Sequence, residues 1–432
     1  MTSRRRGVNG GRGPVDNRPA PRDNRATILP RVRGRHRSGG SAMPIDSKFE
    51  GVVYDGDYDV VVIGGGVAGV CAAIAAARHG CSTALVHDRP VLGGNSSSEV
   101  RVNMGGADAH NSRRHARESG IVEELRLEDR MHNHEPVANG FINWVWDLVL
   151  LDAVRREPAL TLFLNASAQR AIMADETTIE GVVAYQSSTF RTLYLRGRIL
   201  IDASGDGTIA ADAGAHYRMG REPRSEYGEP TAPEEGDRHT LGSSLLFKAV
   251  DAGHPVPFTP PEWAYPFESD DDLPFRDHSY FPRAGFWWIE HGGTMDTIAD
   301  NEHIRDALLA YLLGIWNHIK NHGDHGAENF ILEWVGMIPG KRESRRLVGD
   351  YLMTEHDVRT DRGFPDRVAY GGWFIDVHTM GGILAKGRPP EHLLGNPDLS
   401  DLLVVEPYSI PCLLYTSPSP RDLSTSRMPS SA

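Results

Sequence analysis

One uncharged run constrains this chain more than any other feature, VVVIGGGVAGVCAAIAAA from Val60 to Ala77. It is about as long as a membrane span needs, and Gly65 and Gly69 stand at the spacing of a helix-dimer motif. Three consecutive glycines exclude that reading, because they would break a helix at that point and instead suit a tight turn between a buried strand and a helix. The sequence therefore predicts a strand DVVVI from Asp59, a turn GGGVAG, a helix VCAAIAAARHG and a second strand STALVHD, the opening of a βαβ unit. Within the turn, Gly64-x-Gly66-x-x-Gly69 has the spacing and context of a dinucleotide-binding fingerprint. Gly64 would make the turn, Gly66 would let the backbone approach a pyrophosphate, and Gly69 would let the helix pack closely on the strand. The helix N-terminus would add free amides and partial positive charge for the phosphates. An acid at the end of the second strand, roughly 20 residues on, should hold the ribose hydroxyls. Asp88 is the candidate there and His87 the rival.

A chain of 432 residues exceeds what one core usually supports, so two domains with tails are expected. The formal charge is −12, which argues against nucleic acid or an anionic membrane surface as a partner. Residues 1–42 carry eleven Arg, no Lys and only Asp16 and Asp23, a net of +9, which leaves −21 for the rest. This Arg/Gly/Pro-rich head lacks apolar periodicity, so disorder is expected over residues 1–45, with Met43 as the natural start. Cys71, Cys81 and Cys412 are the only cysteines, an odd set without CxxC spacing, which implies a reducing compartment and a cytoplasmic protein. No apolar signal segment follows the Arg4-Arg5-Arg6 cluster.

Farther along, 160–165, 179–185 and 192–204 read as strands, partly antiparallel, and Glu302–Asn321 as an amphipathic helix stopped by Gly323. The Pro- and acid-rich stretch 222–277 gives no assignable pattern. From Cys412 the Ser/Pro-rich text CLLYTSPSPRDLSTSRMPSSA differs in character from the LLVVEPYSIP before it and looks like translated sequencing adapter, so 412–432 is expected to be non-native.

The stretch after the second strand, Arg89-Pro-Val-Leu-Gly93-Gly94-Asn95-Ser96-Ser97-Ser98-Glu99-Val-Arg101, resembles the corresponding part of FAD-dependent oxidoreductases of the glutathione-reductase-like fold, where a Gly-Gly pair and small polar residues run along the flavin. The resemblance is strongest to the family related to the flavin subunit of heterodisulfide reductase. Ala116–Leu125, Ile201–Gly220 and Gly336–Asp357 carry it further, so that it spans 58–411 in order. It implies an α/β fold: an FAD-binding Rossmann domain over 58–240 with an antiparallel insertion, and a mixed α+β substrate domain over 241–411. It implies FAD as cofactor, with Ala203-Ser204-Gly205-Asp206 touching it again and Ala168 offering backbone groups to the adenine. The lesser alternative for Ser204 and Asp206 is an ordinary helix-capped turn. Iron–sulfur clusters occur in some relatives of that name, but three scattered cysteines cannot hold one. The resemblance also predicts a C-terminal segment beyond PYSIP that closes over the flavin. Its replacement here implies a truncated chain that binds FAD poorly and is inactive.

In such an enzyme the isoalloxazine carries the hydride chemistry and the protein orients a small polar, sugar-like substrate. The electron partner is not legible. Arg101, His110, Arg342, Glu343 and Arg345 are the substrate-side candidates, because arginines fix carboxylates or hydroxyls by bidentate bonds; they could equally pair with Glu343, Asp350 and Glu355. The pairs Trp287-Trp288 and Trp373-Phe374 could line a sugar site or simply pack. His318, His322 and His325 stand at helix spacing near Asp324 and Glu328, a pattern that can bind a transition metal. Lys320 and Asn321 mark a solvated helix end there, where histidines also favour the dipole, so no metal is expected. An NAD-linked dehydrogenase would use the same glycine turn but has no need of the Gly93-Gly94 stretch or the late ASGDG. A non-catalytic flavin- or sugar-binding module is the third reading.

Overall fold

Residues 60–63 are four β-branched side chains in a row, and the structure uses both of their faces. Val60 and Val62 point into one hydrophobic cluster and Val61 and Ile63 into another, as the alternation of a strand requires. This computed structural model describes residues 52–102, 120–132, 145–279, 289–360, 362–371, 375–387, 391–394, 408–411 and 414–416. Residues 51–432 make one compact unit, and residues 1–50 lie outside the described residues.

The first strand, β1 (Val52–Ile63), runs into the glycine turn and α1 (Val67–Arg78). β2 (Thr83–Val86) pairs parallel to β1, with Val60 opposite Thr83 and Ile63 opposite Val86. Two helices follow, α2 (Gly120–His132) and α3 (Trp146–Arg156), and then β3 (Leu160–Phe163), again parallel, beside β2. Val70, Cys71, Ile74, Leu125, Val149 and Leu150 pack these helices on one sheet face. β4 (Ala166–Met173), β5 (Ile179–Gln186) and β6 (Arg191–Asp202) form an antiparallel meander whose last strand returns to pair parallel with the whole of β1. The sheet order is β3-β2-β1-β6-β5-β4. The expected α/β architecture with a parallel-containing sheet is what forms. The uncharged run is the end of β1, the turn and α1, and no helix among the described residues is long and apolar enough to cross a membrane.

A short helix α4 (Thr208–Asp212) follows β6, and then β7 (Tyr217–Arg218) and α5 (Arg224–Tyr227). Within the stretch 222–277 lie β8 (Ser243–Ser244) and β9 (Phe247–Asp251), both too short to show a sequence pattern. After β10 (Glu290–His291) comes α6 (Asn301–Asn321), which lays Ile304, Leu308, Leu312, Ile315, Trp316 and Ile319 into a separate core with Phe247 and Phe267. The predicted face of this helix is its buried face. β11 (Phe330–Val335) pairs antiparallel with β9, and β12 (Arg346–Leu347) with β7. The last described strand, Leu414–Thr416, pairs with Tyr351–Leu352 and therefore takes in residues expected to be foreign to the fold.

Candidate functional site

The glycines of the turn differ in what surrounds them. Gly64 has φ +103°, and a Cβ there would lie 2.2 Å from the Ala203 carbonyl oxygen. A Cβ on Gly69 would lie 1.8 Å from the Gly64 carbonyl oxygen, so strand, turn and helix meet backbone to backbone. Gly66 is the opposite case, since a Cβ would meet nothing within 4 Å. Gly66 is also the residue before α1, whose first turn has no side-chain cap and no acidic residue. Open space and a positive helix end without a side-chain cap thus coincide at one point, which suits an anion.

His87 supports the turn from below. The Gly65 N–H donates to its Nδ1 at 3.0 Å, which places the proton of the neutral ring on Nε2. Burial pushes its pKa down from the usual imidazole value. Asp88, whose side chain is 61% exposed, has its carboxylate 3.3 Å from that Nδ1. Of the two ribose candidates, His87 is spent on the backbone and Asp88 is open to a ligand. Ala166 N–H donates to the His87 carbonyl at 2.8 Å, which brings the start of β4, and with it Ala168, alongside the end of β2.

The Gly93-Gly94 pair closes over the turn. Gly93 N–H donates to the Gly65 carbonyl at 2.8 Å, and a Cβ on Gly94 would stand 3.1 Å from the Gly66 Cα. Ser96 is buried, donates to the Gly93 carbonyl and accepts from the Trp146 indole, each at 2.9 Å. Arg89 forms a two-pronged ion pair with Glu99 at 3.0 and 2.7 Å. Arg101 is buried with φ +64°, the left-handed region that bulky side chains rarely enter, and its guanidinium lies 5.2 Å from the Trp334 ring centroid.

From the other side, β6 delivers Ala203-Ser204-Gly205-Asp206. Asp202, which the sequence did not single out, accepts from Ser204 and from the amides of Ile209 and Ala210 at 2.6–3.0 Å. The Ser204 hydroxyl also accepts from Thr208 N–H, the first amide of α4, at 3.0 Å, while Gly207 holds the N-cap position. Gly205 has φ +85° and open space at its Cβ position. Asp206 does not cap: it binds Lys341 Nζ at 2.6 Å and the Ser344 hydroxyl at 2.7 Å. Asn95 donates to the Lys341 carbonyl at 2.7 Å. Lys341 therefore joins the Gly93-Gly94 loop to the Asp206 turn. It lies in the Gly336–Asp357 stretch, of which only Arg342, Glu343 and Arg345 stood out in the sequence.

Those candidates separate. Glu343 is buried against Arg346, which also binds Glu222 at 2.5 Å and the Gly220 carbonyl at 2.7 Å, a structural ion cluster. Arg342 is half-buried. Arg345 stacks on Tyr217 at 5.2 Å and reaches the Asp206 carbonyl at 3.4 Å. With Arg238 and Asp296 it lines a cavity of about 400 Å³. Amide donors from Ala299 and Ile298, and then the two arginines, hold Asp296 below the usual carboxylate range, so the cavity carries two cations and one anion. His110, the two tryptophan pairs' residues Trp287, Trp288, Trp373 and Phe374, and Cys412 lie outside the described residues.

Among solved structures, the chain is similar to a geranylgeranyl bacteriochlorophyll reductase-like protein from Thermoplasma acidophilum, with 19% identity and TM-score 0.31 over 46% of this chain and 48% of that one. It is similar also to the glycerol-3-phosphate dehydrogenase from Bacillus halodurans complexed with FAD, with 15% identity and TM-score 0.28 over 48% and 43%. The chain thus spans about half the length of these proteins. No curated protein matches it significantly. The model of one family, described as FAD dependent oxidoreductase, matches residues 59–417, a span that holds the glycine turn, the Gly93-Gly94 loop, the Asp206 turn and Lys341. On that match the chain belongs to the FAD dependent oxidoreductase family.

Proposed function

We propose that this chain binds FAD with its pyrophosphate at Gly66 and oxidises or reduces a small polar substrate, of sugar-acid type, held in the cavity beside Asp206. The observation that carries the reading is the open space at Gly66, flanked by Gly94, at the uncapped start of α1. The residues present fit the cofactor. Asp88 has an exposed carboxylate for ribose hydroxyls, Ala168 lies on the strand next to it, and Gly93 to Ser96 give a floor of short side chains along which a flat ring system can lie. Gly205 leaves room for a second approach, and this layout supports a glutathione-reductase-like type for the domain. When bound, FAD supplies the hydride chemistry.

The protein's own part is placement and charge. Lys341 and Ser344 fix Asp206, and Arg345, held against Tyr217, connects that turn to the cavity. Arg345 and Arg238 would orient a carboxylate or vicinal hydroxyls, while ionised Asp296 would accept from a hydroxyl. The test is anaerobic addition of sugar acids and of the matching neutral sugars to the FAD-loaded protein. Bleaching of the flavin by the acids, lost in Arg345→Met, is the expected result. Flavin that binds but is bleached by neither series would refute the substrate reading, and failure to bind flavin would refute the cofactor site.

A further inference from the structure

Three histidines converge on one carboxylate at the far end of α6. His318 lies in its last turn and is wholly buried, and His325 follows the reversal at Gly323, where φ is +113°. Asp270 and His278 come from the segment that crosses this end. Asp270 Oδ1 stands 3.0 Å from His318 Nε2, 3.5 Å from His278 Nδ1 and 3.4 Å from His325 Nε2. Ligand atoms of all four residues lie within 4.8 Å of one another. The grouping differs from the one the sequence suggested, because His322, Asp324 and Glu328 are replaced by His278 and Asp270 from a distant segment. His322 only stacks on His318, with ring centroids 6.4 Å apart.

We propose that Asp270, His278, His318 and His325 form a zinc-type metal site that pins the 270–278 segment to the end of α6. Metal–ligand bonds of about 2.0–2.1 Å in a tetrahedron put neighbouring donors roughly 3.3 Å apart. The three separations from Asp270 bracket that edge. Hydrogen bonds account for part of the cluster, since His318 Nε2 lies 3.0 Å from Asp270 Oδ1 and His325 Nε2 lies 3.2 Å from the His322 carbonyl, but they leave the His278–Asp270 contact unexplained. His278 Nε2 lies 3.3 Å from the Leu273 carbonyl, an acceptor, so the neutral ring carries its proton there and turns a bare Nδ1 toward Asp270. Two acceptors then face each other at 3.5 Å, an arrangement that calls for a cation between them. A cavity of about 470 Å³, lined by Asp270, His278 and His325, opens the site to solvent for loading. Imidazole and carboxylate donors select zinc over calcium or magnesium, and four protein ligands make the site structural.

Cobalt(II) reports the geometry directly. The full chain, stripped with chelator, is titrated with Co(II) and then with Zn(II), and visible absorption and flavin content are followed. One equivalent giving the intense band of tetrahedral Co(II), displaced by Zn(II), is expected. The double variant His278→Gln/His325→Gln should bind at least 100-fold more weakly with unchanged flavin content. Asp270→Asn, at a side chain that is 73% exposed, serves as the second variant should the double one fold poorly. Absence of the band in the wild type, or an equal band in Asp270→Asn and the double variant, overturns the proposal.

Discussion

Gly66→Ala separates the cofactor site from the fold that carries it. Gly66 has φ −62° and ψ 172°, a conformation open to alanine, and its Cβ would meet nothing within 4 Å. Removing glycine's freedom in the unfolded chain stabilises by about 0.4–1 kcal/mol, and the poorer helix-cap preference of alanine offsets a similar amount. The net change should stay within ~0.5 kcal/mol, a shift of under ~2 °C in Tm. The new methyl stands in the open space at the N-terminus of α1. Losing one or two charge-assisted hydrogen bonds, at about 1.5 kcal/mol each, weakens FAD binding roughly 10- to 150-fold. Gly69→Ala must behave differently, because its methyl would sit 1.8 Å from the Gly64 carbonyl oxygen and the turn itself has to move. The assays are flavin-fluorescence titration and thermal unfolding without FAD. Unchanged FAD affinity in Gly66→Ala would show that the phosphates pass elsewhere, and a loss of stability equal to that of Gly69→Ala would show that the space is not open.

Arg346→Met strands Glu343 and Glu222 in a buried setting and should cost about 3–5 kcal/mol, read from urea unfolding; a loss under 1 kcal/mol would mean the cluster is not buried. Lys341→Met, at a pair that is partly exposed, should lower stability by no more than about 1 kcal/mol. It should nonetheless weaken FAD binding about tenfold by freeing the Asp206 turn, and the reverse pattern would assign Lys341 to the fold alone. Burial depresses the pKa of His87 and His291, so the unfolded chain takes up protons first as pH falls. Their contribution to stability is whole above about pH 6.5 and declines below it. Urea midpoints at pH 7.5 and 5.5 should show the decline, and it should shrink in His87→Asn.

The sequence made the βαβ opening legible because two periodicities change across three glycines within eighteen residues. The long face of α6 was equally plain, as were the glycines that the backbone packs against. What stayed hidden depends on partners far along the chain. β1 begins at Val52 rather than Asp59 because β6 pairs with Tyr54 to Tyr58, whose polar pattern alone does not read as strand. β4 escaped for the same reason, being an edge strand with few buried side chains. Lys341 and Asp202 look like ordinary charged residues until the chain brings Asp206 and the α4 amides to them. His278 and Asp270 give no local sign of belonging with His318.

The pairing of β1 with β6 has a consequence for synthesis. Gly64 takes its shape against Ala203, and Asp206 is held by Lys341, so the phosphate turn is finished by residues made long after its own glycines. Contacts of such sequence separation form late, because the intervening loop must close first. A growing chain stalled before Arg191 on the ribosome would already display Gly64, Gly66, Gly69 and the Gly93-Gly94 loop, yet would lack the Ala203 backbone that packs against Gly64 and the Asp206 turn. Flavin capture therefore marks the arrival of β6 and of Lys341 rather than the emergence of the glycine motif. A cell short of flavin would meet this protein as a nearly complete fold waiting for its cofactor.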